Sequence, residues 1–150
     1  MADEQNIVSA PRLWLVLARA YGSMVDFIER SITAQGLGIS DFMVLEVLLH
    51  KGAMPVNAIG PKVFLTPGSI STAVNRLHEK GLVSRTGSQT DRRVHVVDLT
   101  TEGRTLIDRV FSAHAKHLDE LTGVLTNSER TQLADALKKL GKHAANDCGC

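Results

Sequence analysis

Cysteine is nearly missing from this chain: Cys148 and Cys150 both lie in its last three residues, so no disulfide framework holds the body together and the core relies on packing. Long apolar runs are missing as well. The longest stretch free of Lys, Arg, Asp and Glu is the thirteen residues from Val63 to Asn75, short of the roughly 18 that span a bilayer, so no membrane partner is expected. The first residues, Met1-Ala2-Asp3-Glu4, are acidic where a secretory leader is basic, which predicts a cytoplasmic protein. Only six aromatics occur (Trp14, Tyr21, Phe27, Phe42, Phe64 and Phe111), and they are not gathered on a basic sheet as single-stranded RNA binding requires. They are expected in core or interface. Catalytic signatures are lacking too. His78-Glu79 opens like a zinc-protease motif, but Leu82 stands where the second histidine belongs, and Gly68-Ser69-Ile70-Ser71 has no closing glycine of a nucleophile elbow. No phosphate-binding loop and no cofactor motif is present, so neither an enzyme nor a resident cofactor is predicted.

What is present is a chain of 150 residues with 43% apolar and 22% charged residues, enough for one globular core. Leu13, Leu17, Tyr21, Met24 and Ile28, flanked by Trp14 and Val25, recur at the spacing of one helix face and predict a long helix over 12–33. After Gly36-Leu37-Gly38, Ser40 is placed to cap a second helix carrying Phe42, Leu45, Leu48 and Leu49 up to Gly52. Pro55 suits the first position of a short third helix running through Ile59 and Val63 toward Phe64 and Leu65.

Thr66-Pro67 is a strong start for a fourth helix. Ile70, Val74 and Leu77 form its apolar side, which leaves Gly68, Thr72, Asn75, Arg76 and Glu79 facing outward until Gly81 stops it. Leu82-Val83 and Val94 to Leu99, separated by a polar turn over 86–91, read as a β-hairpin. Thr100 or Thr101 then caps a helix with Ile107, Phe111, His114, Leu118 and Leu121 on one stripe. Thr126-Asn127-Ser128-Glu129 is a capping box opening a last helix with Leu133, Leu137, Leu140 and Ala144 on its apolar face.

Helices, a turn, an amphipathic helix with a polar outer face and then a hairpin make a winged helix-turn-helix, a mainly α (α+β) fold. The net charge is only +1, yet between Lys62 and Val97 six basic residues stand against two acidic ones, leaving −3 for the remainder. Positive charge gathered on one helix and one hairpin is the footprint of a duplex-binding face. Ser69, Ser71, Thr72 and Asn75 are short and polar enough for close approach to the major groove, and Arg76 has the length to reach a guanine edge or a phosphate. Arg92 and Arg93 have the length to enter the adjacent minor groove.

The run from Leu65 to Val83 (LTPGSISTAVNRLHEKGLV), Asp91-Arg92-Arg93 and Leu99-Thr100-Thr101-Glu102-Gly103 together resemble the MarR family of bacterial winged-helix regulators. Thr72 departs from the arginine that many members carry there. The resemblance implies that Arg93 contacts DNA with Asp91 orienting it; a purely structural pair is the alternative. It also implies a homodimer built from residues 1–36 and 100–146, a winged domain at 37–99 and a loose tail at 147–150. The apolar stripes of the terminal helices, more than a winged helix needs for its own core, point the same way. By resemblance a small-molecule effector, often aromatic, binds between the dimerisation helices and the DNA-binding lobe, with Trp14, Met43 and His114 as candidate lining. A hydrogen-bonded core or interface histidine is the plainer reading of His114.

The function expected is therefore a homodimeric, sequence-specific regulator of double-stranded DNA, a repressor released from a pseudo-palindromic operator by its effector. Two alternatives stand beside it. One is a redox or metal sensor on the same scaffold using Cys148 and Cys150, for which an inert frayed tail is the plainer reading; the other is a winged-helix module for protein contacts.

Overall fold

A computed structural model of the chain describes residues 8–63, 65–87 and 95–147. Six α-helices and three short strands are found among them. Helix α1 (Ala10–Thr33) has Pro11 in its first turn, as its fixed φ favours. Helix α2 (Ile39–Lys51) begins one residue before Ser40: Gly38 is its N-cap, and Phe42 N–H donates to the Gly38 carbonyl at 3.0 Å. The expected capping role of Ser40 is thus corrected, its hydroxyl lying inside the first turn and serving a distant partner described below.

Pro55 is also corrected. It belongs with Met54 to a strand, β1 (Met54–Pro55), and only then does α3 (Val56–Ile59) begin, followed by a 3-10 turn at Gly60–Lys62. Two residues of strand leave no alternation to read. The predicted extension of this helix to Phe64 falls on a residue outside those described.

Helix α4 (Pro67–Glu79) starts as expected, with Thr66 Oγ1 accepting from Ser69 N–H at 3.2 Å. It ends on Gly81 at φ +70°. There Gly81 N–H donates to the His78 carbonyl and Leu82 N–H to that of Leu77, both at 2.9 Å, a double closure that needs a left-handed residue. Leu82 is consumed by this closure, so the wing strand β2 (Val83–Gly87) begins one residue later than the sequence suggests. Strand β3 (His95–Leu99) lies between the other two in an antiparallel sheet ordered β1-β3-β2, pairing Val83 with Leu99, Arg85 with Val97 and Met54 with Val97. Val97, on this central strand, is fully buried.

Helix α5 (Thr101–Thr122) is capped by Thr100, whose Oγ1 accepts from Gly103 N–H at 3.0 Å and donates to the Gly81 carbonyl at 2.7 Å. One hydroxyl therefore joins the end of α4 to the start of α5.

The chain forms two compact units that divide after His114. In the first, Leu45 and Leu48 of α2, Ile59, Val74 and Leu77 of α4, Val83 and Val97 form one core with Ile32 of α1 and Ile107 and Val110 of α5. The flanking helices thus lend side chains to the winged-helix core as well as extending beyond it. In the second unit α6 (Asn127–Asp147) opens on the predicted capping box: Thr126 N–H donates to Glu129 Oε2 at 2.8 Å and Glu129 N–H to Thr126 Oγ1 at 3.3 Å. The backbone N–H of Thr126, and then its hydroxyl, which also donates to Oε2 at 2.9 Å, hold the Glu129 carboxyl below its usual range. Arg130 Nε adds a bond to the Thr122 carbonyl at 3.1 Å.

Candidate nucleic-acid interface

Helix α4 presents two chemically distinct sides. Ile70, Ala73, Val74 and Leu77 are buried, whereas Ser69, Ser71, Thr72 and Asn75 are all exposed on its outer face. A helix so arranged offers hydroxyl and amide groups at a distance from its axis short enough for groove entry.

The helix is held at this angle by charge. Arg76 directs its Nε to both carboxylate oxygens of Asp41 at 3.0 and 2.9 Å, its Nη2 to Asp41 Oδ1, and the same Nη2 to Ser40 Oγ at 3.2 Å. Lys80 Nζ stands 3.8 Å from the other side of the carboxylate. Asp41 is only 2% exposed, and a buried carboxylate without such donors would be strongly destabilising. The hydrogen bonds to Asp41, and then its charge, hold the Arg76 guanidinium further into its protonated form. Arg76, expected at the DNA, thus has Nε and Nη2 on α2, while 40% of its side chain remains exposed. Sequence reasoning gave Asp41 no role; its one signal is an acid set between Ser40 and Phe42 in a helix that is otherwise largely apolar.

The wing strand meets the reading helix directly. Arg85 Nη2 on β2 donates to Asn75 Oδ1 on α4. Both residues line a groove of about 760 Å³ between α3, α4 and the strands, with Val56, Ile70 and His95 among its other walls. His78 Nδ1 donates to the Val83 carbonyl at 3.1 Å, a second tie between α4 and β2.

Asp91, Arg92 and Arg93, predicted for the wing, lie outside the described residues, as do Cys148 and Cys150. Among the candidate effector-lining residues, Trp14 is 67% exposed on α1 and His114 is buried on α5, edge-on to Phe42 at 5.1 Å between ring centroids. Met43 is half-buried on α2 and lines a separate groove of about 350 Å³ with Glu46, His50 and Lys62. Burial pushes the Glu46 carboxyl above its usual range, opposed by His50 one turn on. No group of three or more potential metal ligands converges among the described residues, and no helix there is long and apolar enough to cross a membrane.

Residues 35–94 match the MarR family. Over 133 residues the chain is 40% identical to the HTH-type transcriptional regulator MhqR of Bacillus subtilis (strain 168), spanning 89% of this chain and 92% of that one. The chain belongs to the MarR family. Another relative of this MarR-family chain is the HTH-type transcriptional repressor MdtR of the same organism, 29% identical over 78% of this chain and 76% of that one. The fold matches that of Bordetella bronchiseptica BpsR, whose DNA binding is regulated by 6-hydroxynicotinic acid. The TM-score is 0.78 at 24% identity, with 87% of this chain and 98% of that one covered. As a MarR-family member, the chain is a transcriptional regulator with a DNA-binding winged helix and not an enzyme.

Proposed function

We propose that this MarR-family regulator is a homodimeric repressor that grips a pseudo-palindromic duplex operator and lets go when a small ring-bearing molecule binds. The observation that carries the reading is the outer face of α4, where Ser69, Ser71, Thr72 and Asn75 are exposed together. Arg76 adds charge beside them. In this reading Asp91, Arg92 and Arg93 of the wing reach the neighbouring groove.

Self-association is supported by apolar side chains left uncovered on the terminal helices. Leu13, Trp14, Leu15, Val16 and Tyr21 are exposed on α1, and Leu133, Leu137 and Leu140 on α6. Apolar side chains left uncovered along a helix in this number are what an interface covers. Two-fold symmetry then places half-site centres about one helical turn, ~10 base pairs, apart. BpsR, regulated by a hydroxylated ring acid, supports an effector of that class, with Trp14, Met43 and His114 as its proposed lining. Release requires the effector to bind the DNA-free arrangement more tightly than the DNA-bound one.

Selection of duplexes from a random pool, followed by gel shift over a salt series and sedimentation of the free protein, tests this. The expected result is a two-subunit mass, an inverted-repeat site, and a log-log salt slope of about −0.9 per neutralised phosphate. A single-subunit mass removes the dimer. A flat, sequence-blind salt response removes the operator and favours a protein-contact module.

A further inference from the structure

Arg85 lies outside the residues that the sequence assigns to DNA contact, yet it touches one of them. It stands half-buried on β2 opposite Val97 of the central strand, with its Nε enclosed and without a hydrogen-bond partner among the described residues. An arginine waiting for a phosphate ordinarily extends its head group into water. Here Nη2 is spent on Asn75 Oδ1, ten positions earlier in the chain.

A guanidinium carries five N–H donors and no acceptor. Only the oxygen of the Asn75 carboxamide can face it, because the reversed amide would set N–H against N–H. Arg85 therefore dictates the amide's orientation, and with one of the two Oδ1 lone pairs engaged by a cation, the Nδ2 donors are what Asn75 offers a base most readily. Adenine presents N7 as acceptor and N6 as donor in the major groove, and asparagine matches it by using both ends of its amide. Guanine presents two acceptors, N7 and O6. A charged donor already on Oδ1 weakens the match to adenine and leaves the match to guanine intact.

The geometry points to Arg85 as a positioning residue that sets base preference through Asn75, biasing it from adenine toward the acceptor-only edge of guanine. This rests on α4 being the groove-reading helix. Arg85 belongs to the wing strand, so sequence preference is shared between two elements that are separate in the chain.

Random-pool duplex selection with wild type, Arg85→Met, Arg85→Lys, Asn75→Ala and the Asn75→Ala/Arg85→Met double variant, all at one salt concentration, tests the proposal. Asn75→Ala identifies the base pair concerned by flattening preference there. At that same pair Arg85→Met should move preference from guanine toward adenine by about fivefold or more, with Arg85→Lys in between because it keeps a charged donor without the planar fork. The double variant should show the Asn75→Ala preference. In the DNA-free protein, the side-chain amide resonances of Asn75 should shift in Arg85→Met, a readout that also reports whether the variant is folded. Uniform weakening across all sequences, or an unmoved amide in a folded variant, overturns the proposal. A wild type that enriches no site at all overturns the groove-reading role of α4 instead. That result differs from enrichment of a site whose preference ignores Arg85.

Discussion

The carboxylate of Asp41 and the guanidinium of Arg76 meet side-on, joining α2 to α4 across thirty-five positions of sequence. One member of the pair is buried and the other is 40% exposed. The contact therefore acts as a fixed strut at the base of the reading helix and also places positive charge near its outer face.

Replacing Arg76 by alanine leaves Asp41 buried with Lys80, at 3.8 Å, as its one cationic partner among the described residues. Breaking a fully buried pair costs about 3–5 kcal/mol. With Arg76 partly in water the expected loss is about 2 kcal/mol, read as a lower denaturant midpoint. Arg76→Lys should recover less than half of it, since an ammonium cannot make the forked contact. An unchanged midpoint in Arg76→Ala would show that the strut does not support the fold.

Among the described glycines of the first unit, Gly103 has the least room for a side chain. A Cβ there would lie 1.9 Å from the Leu82 carbonyl oxygen, well inside contact distance, with backbone rather than a movable side chain in the way. Gly103→Ala should destabilise by about 3 kcal/mol or more, at the upper end for overpacking, because the start of α5 must move off the end of α4. Gly141→Ala, with nothing within 4 Å of the added carbon, is the matched control and should leave the melting temperature unchanged or slightly raised.

Two carboxylates should respond to acid in opposite directions. Glu46, raised above 4.5 by burial, favours its protonated form in the fold, so its contribution is fully present at low pH and is lost as pH rises through the folded value. Glu129, lowered below 4.5 by its bonds to Thr126, contributes above that value, and the contribution is lost as pH falls through its depressed one. Carboxyl NMR titration should place the two midpoints on either side of 4.5. Glu46→Gln should raise stability at pH 7 by less than ~1 kcal/mol, with the gain vanishing in acid. Midpoints in the reverse order would contradict the stated causes.

Much of this architecture was legible from residues close together in the chain. The cap at Thr66, the stop at Gly81, the capping box at Thr126 and Glu129, and the inward side of α4 all follow from interactions spanning about five residues, within reach of local patterning. The failures are local signals outbid by distant partners. Ser40 looks like a cap but serves Arg76, and Pro55 looks like a helix start but belongs to a strand paired with Val96.

What the amino-acid order determined alone is therefore the long helices, the two paired wing strands, the caps at Thr66 and Thr126, and the inward side of α4, since hydrophobic period and backbone capping act over a turn or two. Only the tertiary structure decided which distant groups meet: Arg76 with Asp41, Arg85 with Asn75, and the Gly103 backbone against Leu82. A charged side chain finds its partner by proximity after the chain has closed on itself. No spacing rule along the sequence encodes that encounter.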